Sequence, residues 1–363
     1  MVKLSDDCRL AFCVGVGGVG KTTFAAALGL SEAIGGRRVL VLTADPARRL
    51  ADALSVSELR NEASPISLPP GSTGSLHAAM LETQSSADEA IERVASDRAH
   101  AERVLHNRIY RAFSRTLSRS HAYASMERIY AALHEDAYDL VIVDTPPAQS
   151  AIEVLDAPLR LSDFLGHRVI RWFSHAAEAT GARGGALGRS LLKTISGESL
   201  VGALTEFLSE MSFLSDGFLE RARGLGEFMR SDETEFVLVC AADPTGALAG
   251  RSVAEALQRL DLSLSCVVFN RAFVSHLAAS CSAIPPRPAS YPAELSELAP
   301  ELEAMHQAFV SEQARRDRGV RDFYEGFETS APGWRLPEST RPLGRTDQLA
   351  EWIRKARPVA VPR

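Results

Sequence analysis

Lysine is nearly missing from this chain: of 40 Lys plus Arg among 363 residues, only Lys3, Lys21, Lys193 and Lys355 are lysines. Cysteine is sparse as well. Cys8, Cys13, Cys240, Cys266 and Cys281 are odd in number and scattered, with no C-x-x-C spacing. That excludes a disulfide framework and a paired zinc or redox motif, and reads as reduced thiols of a cytoplasmic protein. No apolar run approaches the roughly 20 residues that a membrane-spanning helix needs. Residues 1–9 carry Asp6 and Asp7 and no apolar core of signal-peptide kind. Basic charge is not in excess; a formal net charge of -6 argues against nucleic-acid binding through a broadly basic surface. There is no internal repeat and no low-complexity tract.

Against this background Lys21 stands in a full G-x-x-x-x-G-K-[ST] pattern, Gly15-Val16-Gly17-Gly18-Val19-Gly20-Lys21-Thr22. An apolar run, 10–14, precedes it and an Ala/Leu-rich helical stretch follows. A strand delivers the chain to the loop, glycines let successive N–H groups turn toward phosphate oxygens, and the helix offers its positive end. Lys21 supplies a point charge and Thr22 a hydroxyl for Mg²⁺.

With 45% apolar and 24% charged residues, the chain is expected to be globular, with one large domain carrying an insertion or with two domains. Short β-rich runs at 10–14, 38–43, 76–80, 138–144, 236–241 and 265–270 alternate with helical stretches. That pattern predicts an α/β fold, a mostly parallel sheet flanked by helices. Functional residues should then lie just past the strand ends.

Two long segments interrupt the alternation and read as helical. Segment 88–135 carries Arg108, Arg111, Arg115 and Arg119 on one face, a solvated stripe or a docking face for an anion. Segment 159–232 is apolar, only loosely periodic, and broken by a glycine-rich stretch at 181–188; it is a packed helical subdomain or a groove for a partner. The expected organisation is an ATPase core over 1–158 and 233–357 that includes 88–135, a helical insertion subdomain over 159–232 and a flexible tail over 358–363. Residues 292–326 read as a helix pair, 331–344 as a Pro/Gly-rich connection, and 346–363 as only weakly amphipathic.

Two strand tips carry acids. Asp45, after the second run, is placed across the nucleotide crevice to orient the water that attacks a γ-phosphate, with Arg48 or Arg49 within reach of phosphate oxygens. Taken alone, an Asp-Pro after a strand is also an ordinary helix N-cap and turn. Asp144, after an Ile-Val run, is the expected Mg²⁺ ligand or a holder of its water shell.

In these motifs the chain resembles the ArsA-type anion-transporting ATPases, which include arsenite-pump ATPases and the ATPases that target tail-anchored membrane proteins. The resemblance rests on Gly17 to Thr23, on Thr43-Ala44-Asp45-Pro46-Ala47 with Leu50-Ala51-Asp52-Ala53, and on Val143-Asp144-Thr145-Pro146-Pro147. The stretch from Tyr123 through Met126 and Glu127 to Tyr130 is similar to one in bacterial members, and Asn270-Arg271 resembles the adenine-contacting position. It implies a P-loop, Mg²⁺-dependent ATPase acting as a homodimer on ATP and ADP. Gly17, Gly18, Val19, Gly20, Lys21, Thr22 and Thr23 would hold phosphates and Mg²⁺, Asp45 would position water, Asp144 would order the metal shell, and Asn270 with Arg271 would bind adenine. Segment 159–232 would correspond to the region that receives a hydrophobic protein client or a membrane-protein partner.

Three departures stand out. Val16 replaces the lysine that precedes the double glycine, Ala148-Gln149-Ser150 follow Pro147 without the usual histidine, and the zinc-sharing C-x-x-C pair is absent. Slow hydrolysis is therefore expected. Competing readings are a ParA/MinD-like positioning ATPase on a membrane or DNA surface, and a nucleotide-binding scaffold with little hydrolysis.

Overall fold

The computed structural model describes residues 2–44, 49–81, 95, 97–106, 121–146, 152, 155, 220–221, 223–274, 293–339 and 342–359. The chain divides into two compact units, one of residues 1–80, 137–149 and 232–363, the other of 81–136 and 150–231. Both long segments that interrupt the sequence pattern thus fall mainly in the second unit.

The first unit is built on nine strands: β1 (Leu10–Val14), β2 (Arg38–Thr43), β3 (Ser64–Ile66), β4 (Ser75–Met80), β5 (Leu140–Asp144), β6 (Thr234–Ala241), β7 (Leu264–Val274), β8 (Gly333–Glu338) and β9 (Arg357–Pro358). They form one sheet in the order β3-β4-β2-β5-β1-β6-β7-β8-β9. The seven from β4 to β8 run parallel, and only the edge strands β3 and β9 are antiparallel. Every residue of β1 and β5 is buried, the burial on both faces that continuous apolar runs foretell.

The helices follow from local chemistry. α1 (Lys21–Ile34) is rich in Ala and Leu and is buried on most sides, packed on the sheet and on α7 (Thr346–Arg354). α7 is strongly amphipathic, contrary to the weak pattern read over 346–363. Leu349, Ala350, Trp352 and Ile353 are buried, and the Trp352 indole N–H donates to the Pro337 carbonyl at 2.9 Å. α2 (Arg49–Leu54) follows β2. α5 (Pro244–Gln258) starts on Asp243, whose carboxylate accepts from the Thr245 and Gly246 N–H groups at 3.0 and 3.1 Å, with Pro244 at the first helical position.

α6 (Ala293–Gly326) is a single helix of 34 residues that runs through Pro300, not the expected helix pair. Its C-terminal part buries Val320 and Phe323, Phe327 is buried just past its end, and the Phe323 ring meets Phe269 of β7 edge-on at 5.6 Å. Gln313 donates to the Ala272 carbonyl at 3.1 Å, Arg316 pairs with Glu338, and Arg335 pairs with Asp317, so α6 is tied to the tips of β7 and β8. Truncating Phe323, fully buried among aromatic rings, should cost about 3–5 kcal/mol. Denaturant unfolding of Phe323→Ala checks this, and a loss below about 1 kcal/mol would mean the α6 seam is not a structural core.

In the second unit, α3 (Arg98–His106) is preceded by Asp97, which accepts from the His100 N–H at 2.7 Å. In α4 (His121–His134) the buried Glu127 is gripped by Arg221 through contacts of 2.9 and 3.1 Å. Arg108, Arg111, Arg115 and Arg119 lie outside the described residues, as does most of the segment 159–232 expected to be a helical insertion. No described helix is long and apolar enough to cross a membrane.

Four cysteines, Cys8, Cys13, Cys240 and Cys266, are buried free thiols. Burial pushes Cys8 and Cys266 up to about 12, which keeps them protonated and unreactive.

Candidate nucleotide-binding site

The strand register brings the candidate residues level. Cys13 of β1 and Thr43 of β2 both lie opposite Asp144 of β5, so three adjacent strands end together at their carboxyl side. From the end of β1 the chain enters the loop through Gly15, φ 156°, where a Cβ would collide with the Val239 carbonyl of β6. Gly20, φ 87°, forms the N-cap of α1 in the left-handed region. No side chain caps that end and no acid lies in its first turn. The first-turn N–H groups and the positive helix end are thus left to an external anion.

Lys21 is 8% exposed and its Nζ lies 3.6 Å from Oδ1 of the fully buried Asp144. The Thr43 hydroxyl donates to Asp144 Oδ2 at 2.9 Å, and the Thr145 hydroxyl donates to the Cys13 carbonyl at 2.8 Å. Burial, together with the Asp144 charge, holds the Cys13 thiol well above its ordinary range, so it takes no part in chemistry here. Thr22 is buried beside Lys21, and Thr23 is half-buried. Thr22 and Asp144 offer the hard oxygen donors that Mg²⁺ accepts alongside phosphate and water. Among the described residues no cluster of three His, Cys, Asp or Glu could hold a metal ion.

Other expected residues are placed differently. Gly17 and Gly18 are exposed, Val19 is buried, and Val16 is half-buried with its side chain packed on the hydrophobic core under the loop. Asn270 lies inside β7, which runs on to Val274, and not after the strand. Its Nδ2 donates to the Val19 carbonyl at 2.8 Å, and its Oδ1 accepts from the Arg271 N–H at 2.8 Å. Arg271 is exposed, with left-handed backbone at φ 54°. Asp45 and Arg48 lie outside the described residues, as do Pro147 to Ser150; Arg49 is exposed at the start of α2. Sequence reading passed over Thr43 and Thr145 as site residues. Their signal was their position, a hydroxyl residue ending β2 and another following Asp144.

A parallel sheet whose central strand feeds a glycine loop and an uncapped helix, with a lysine facing an aspartate from the neighbouring strand, defines a P-loop nucleotide-binding protein. The model of the anion-transporting ATPase family matches residues 8–311, and the chain belongs to that family. A Halobacterium salinarum protein named "Putative arsenical pump-driving ATPase" is 29% identical over 174 residues, 44% of this chain and 25% of that protein. An uncharacterized protein of Streptomyces coelicolor is 29% identical over 270 residues, 72% of this chain and 62% of its own length. The chain therefore spans less than two thirds of either relative.

Proposed function

We propose that this chain is a Mg²⁺-dependent ATPase that works as a nucleotide-driven dimeric switch for a hydrophobic or membrane-linked client. One observation carries the catalytic half of that reading: Lys21, at the start of an uncapped helix, faces the buried Asp144 at 3.6 Å. ATP would place its phosphates on the N–H groups from Gly17 to Thr23, with Lys21 on the phosphoryl oxygens and Thr22 and Asp144 toward Mg²⁺. Bound Mg²⁺ would neutralise charge as it develops on the transferring group. Asp45 would orient the attacking water, and Asn270 and Arg271 would lie beside the base.

The dimer and the client rest on the family resemblance and on the hydrophobic content of 159–232. Val16 packs into the core and supplies no cation to a partner's nucleotide, so turnover should be slow unless Arg48 or Arg49 serves instead. The apolar face of α7 is buried inside the fold, which supports the switch reading over the positioning one.

Turnover and oligomeric state measured together, with and without ATP and Mg²⁺, test the proposal. ATP-dependent dimerisation with slow release of phosphate is expected; bound nucleotide without turnover would favour the scaffold reading. Asp45→Asn should lower turnover about a hundredfold while leaving ATP affinity within a few fold. Equal rates would remove Asp45 from the mechanism.

A further inference from the structure

Asn270 is buried at 6% exposure and both polar ends of its amide are engaged within the protein. Its donor reaches across β6, which separates β7 from β1, to the Val19 carbonyl. The two residues are 251 positions apart in the chain. A trans peptide is planar, with C=O and N–H pointing in opposite directions, so fixing the Val19 carbonyl also fixes the Gly20 N–H away from Asn270. Gly20 fits the same contact. A Cβ there would run into Asn270 Nδ2, and the φ of 87° already favours glycine. The Asn270 amide is in turn locked by the Arg271 N–H on Oδ1, while the Asn270 carbonyl accepts from Ala242 at 3.2 Å.

We infer that Asn270 is a positioning residue for the phosphate loop, a strut from β7 that sets the orientation of the peptide between Val19 and Gly20. It acts on phosphate through the loop, whatever contact its Oδ1 makes with a base. The inference rests on the reading of the loop as a phosphate site.

A ligand with phosphates and no base separates the two roles. For Asn270→Ala, titration calorimetry with Mg²⁺ should show ATP and inorganic tripolyphosphate both weakened about tenfold. Amide exchange over residues 19–22 of the ligand-free protein should quicken. Loss of ATP affinity with tripolyphosphate affinity intact would overturn the strut and leave an adenine contact. Unchanged loop exchange would overturn it as well, even if the unaltered protein proves to bind tripolyphosphate too weakly to measure. Should the alanine variant fail to fold, Asn270→Asp keeps the size and the acceptor but loses the donor, and the same quickened exchange is expected. If the unaltered protein binds neither ligand, the proposed ATPase function fails, and the exchange comparison still decides the strut.

Discussion

Lys21→Ala is expected to lower ATP turnover about a thousandfold or more and to weaken ATP binding. Lys21 is the one lysine of the loop, and a cation aimed at a transferring phosphoryl group in a water-poor site is among the larger contributors to catalysis. Its surroundings give it no exposed alternative: the side chain is almost fully covered and its charge faces Asp144. Removal therefore does two things. The phosphates lose their point charge, and the fully buried Asp144 loses the nearby cation that offsets its desolvation. The second effect should appear as lower stability even without nucleotide, which Lys21→Met would share and Lys21→Arg would largely avoid. Neither variant should restore turnover, because a guanidinium does not reproduce the compact ammonium on this stem. Single-turnover phosphate release and thermal unfolding read the two effects separately. Turnover of Lys21→Ala within tenfold of the unaltered protein would move the phosphate site elsewhere.

Gly15→Ala should be nearly as damaging, for a reason that has nothing to do with charge. A Cβ at Gly15 would lie well under 3.0 Å from the Val239 carbonyl oxygen. That oxygen belongs to a strand held on both sides, with Val14 level with Leu238 across β1 and Val239 level with Val268 across β7. The sheet cannot give way, so the loop must shift, and a displacement of about 1 Å in a catalytic framework can cost about a hundredfold in rate. Gly18→Ala is the matched control. Its φ of 78° strains a side chain, yet nothing lies within 4 Å of the added Cβ, so the cost should be confined to about 1–2 kcal/mol of backbone strain. ATP titration of both variants tests the contrast. Equal losses at the two positions would show that conformation, and not the approach to β6, governs Gly15.

The strands of the sheet centre were legible because they are buried almost throughout and are built from near-continuous apolar runs. The runs at 10–14 and 38–43 coincide with β1 and β2. The edges were not. β8 contains Gly333, Arg335, Pro337 and Glu338, a composition that reads as a connection, and only its register with β7 makes it a strand. β3 and β9 are three and two residues long, too short for any periodicity. Residues 292–326 read as a helix pair, yet α6 is one helix and continues through Pro300, although a proline interior to a helix removes a hydrogen bond. Its C-terminal half is tied to β7 and β8, which fixes that half of the helix against the sheet.

By itself the sequence determined that this is an α/β protein of the P-loop class, through the spacing of Gly15, Gly20, Lys21 and Thr22 and the apolar strand before them. Those signals are local: a loop of fixed length, a strand and a helix impose them on neighbouring residues. Tertiary structure alone decided which distant groups meet at the loop. It levelled Cys13, Thr43 and Asp144 across three strands, turned Val16 into the core and spent the Asn270 donor on Val19. Strand order and register set those meetings, and neither is written in the spacing of residues along the chain.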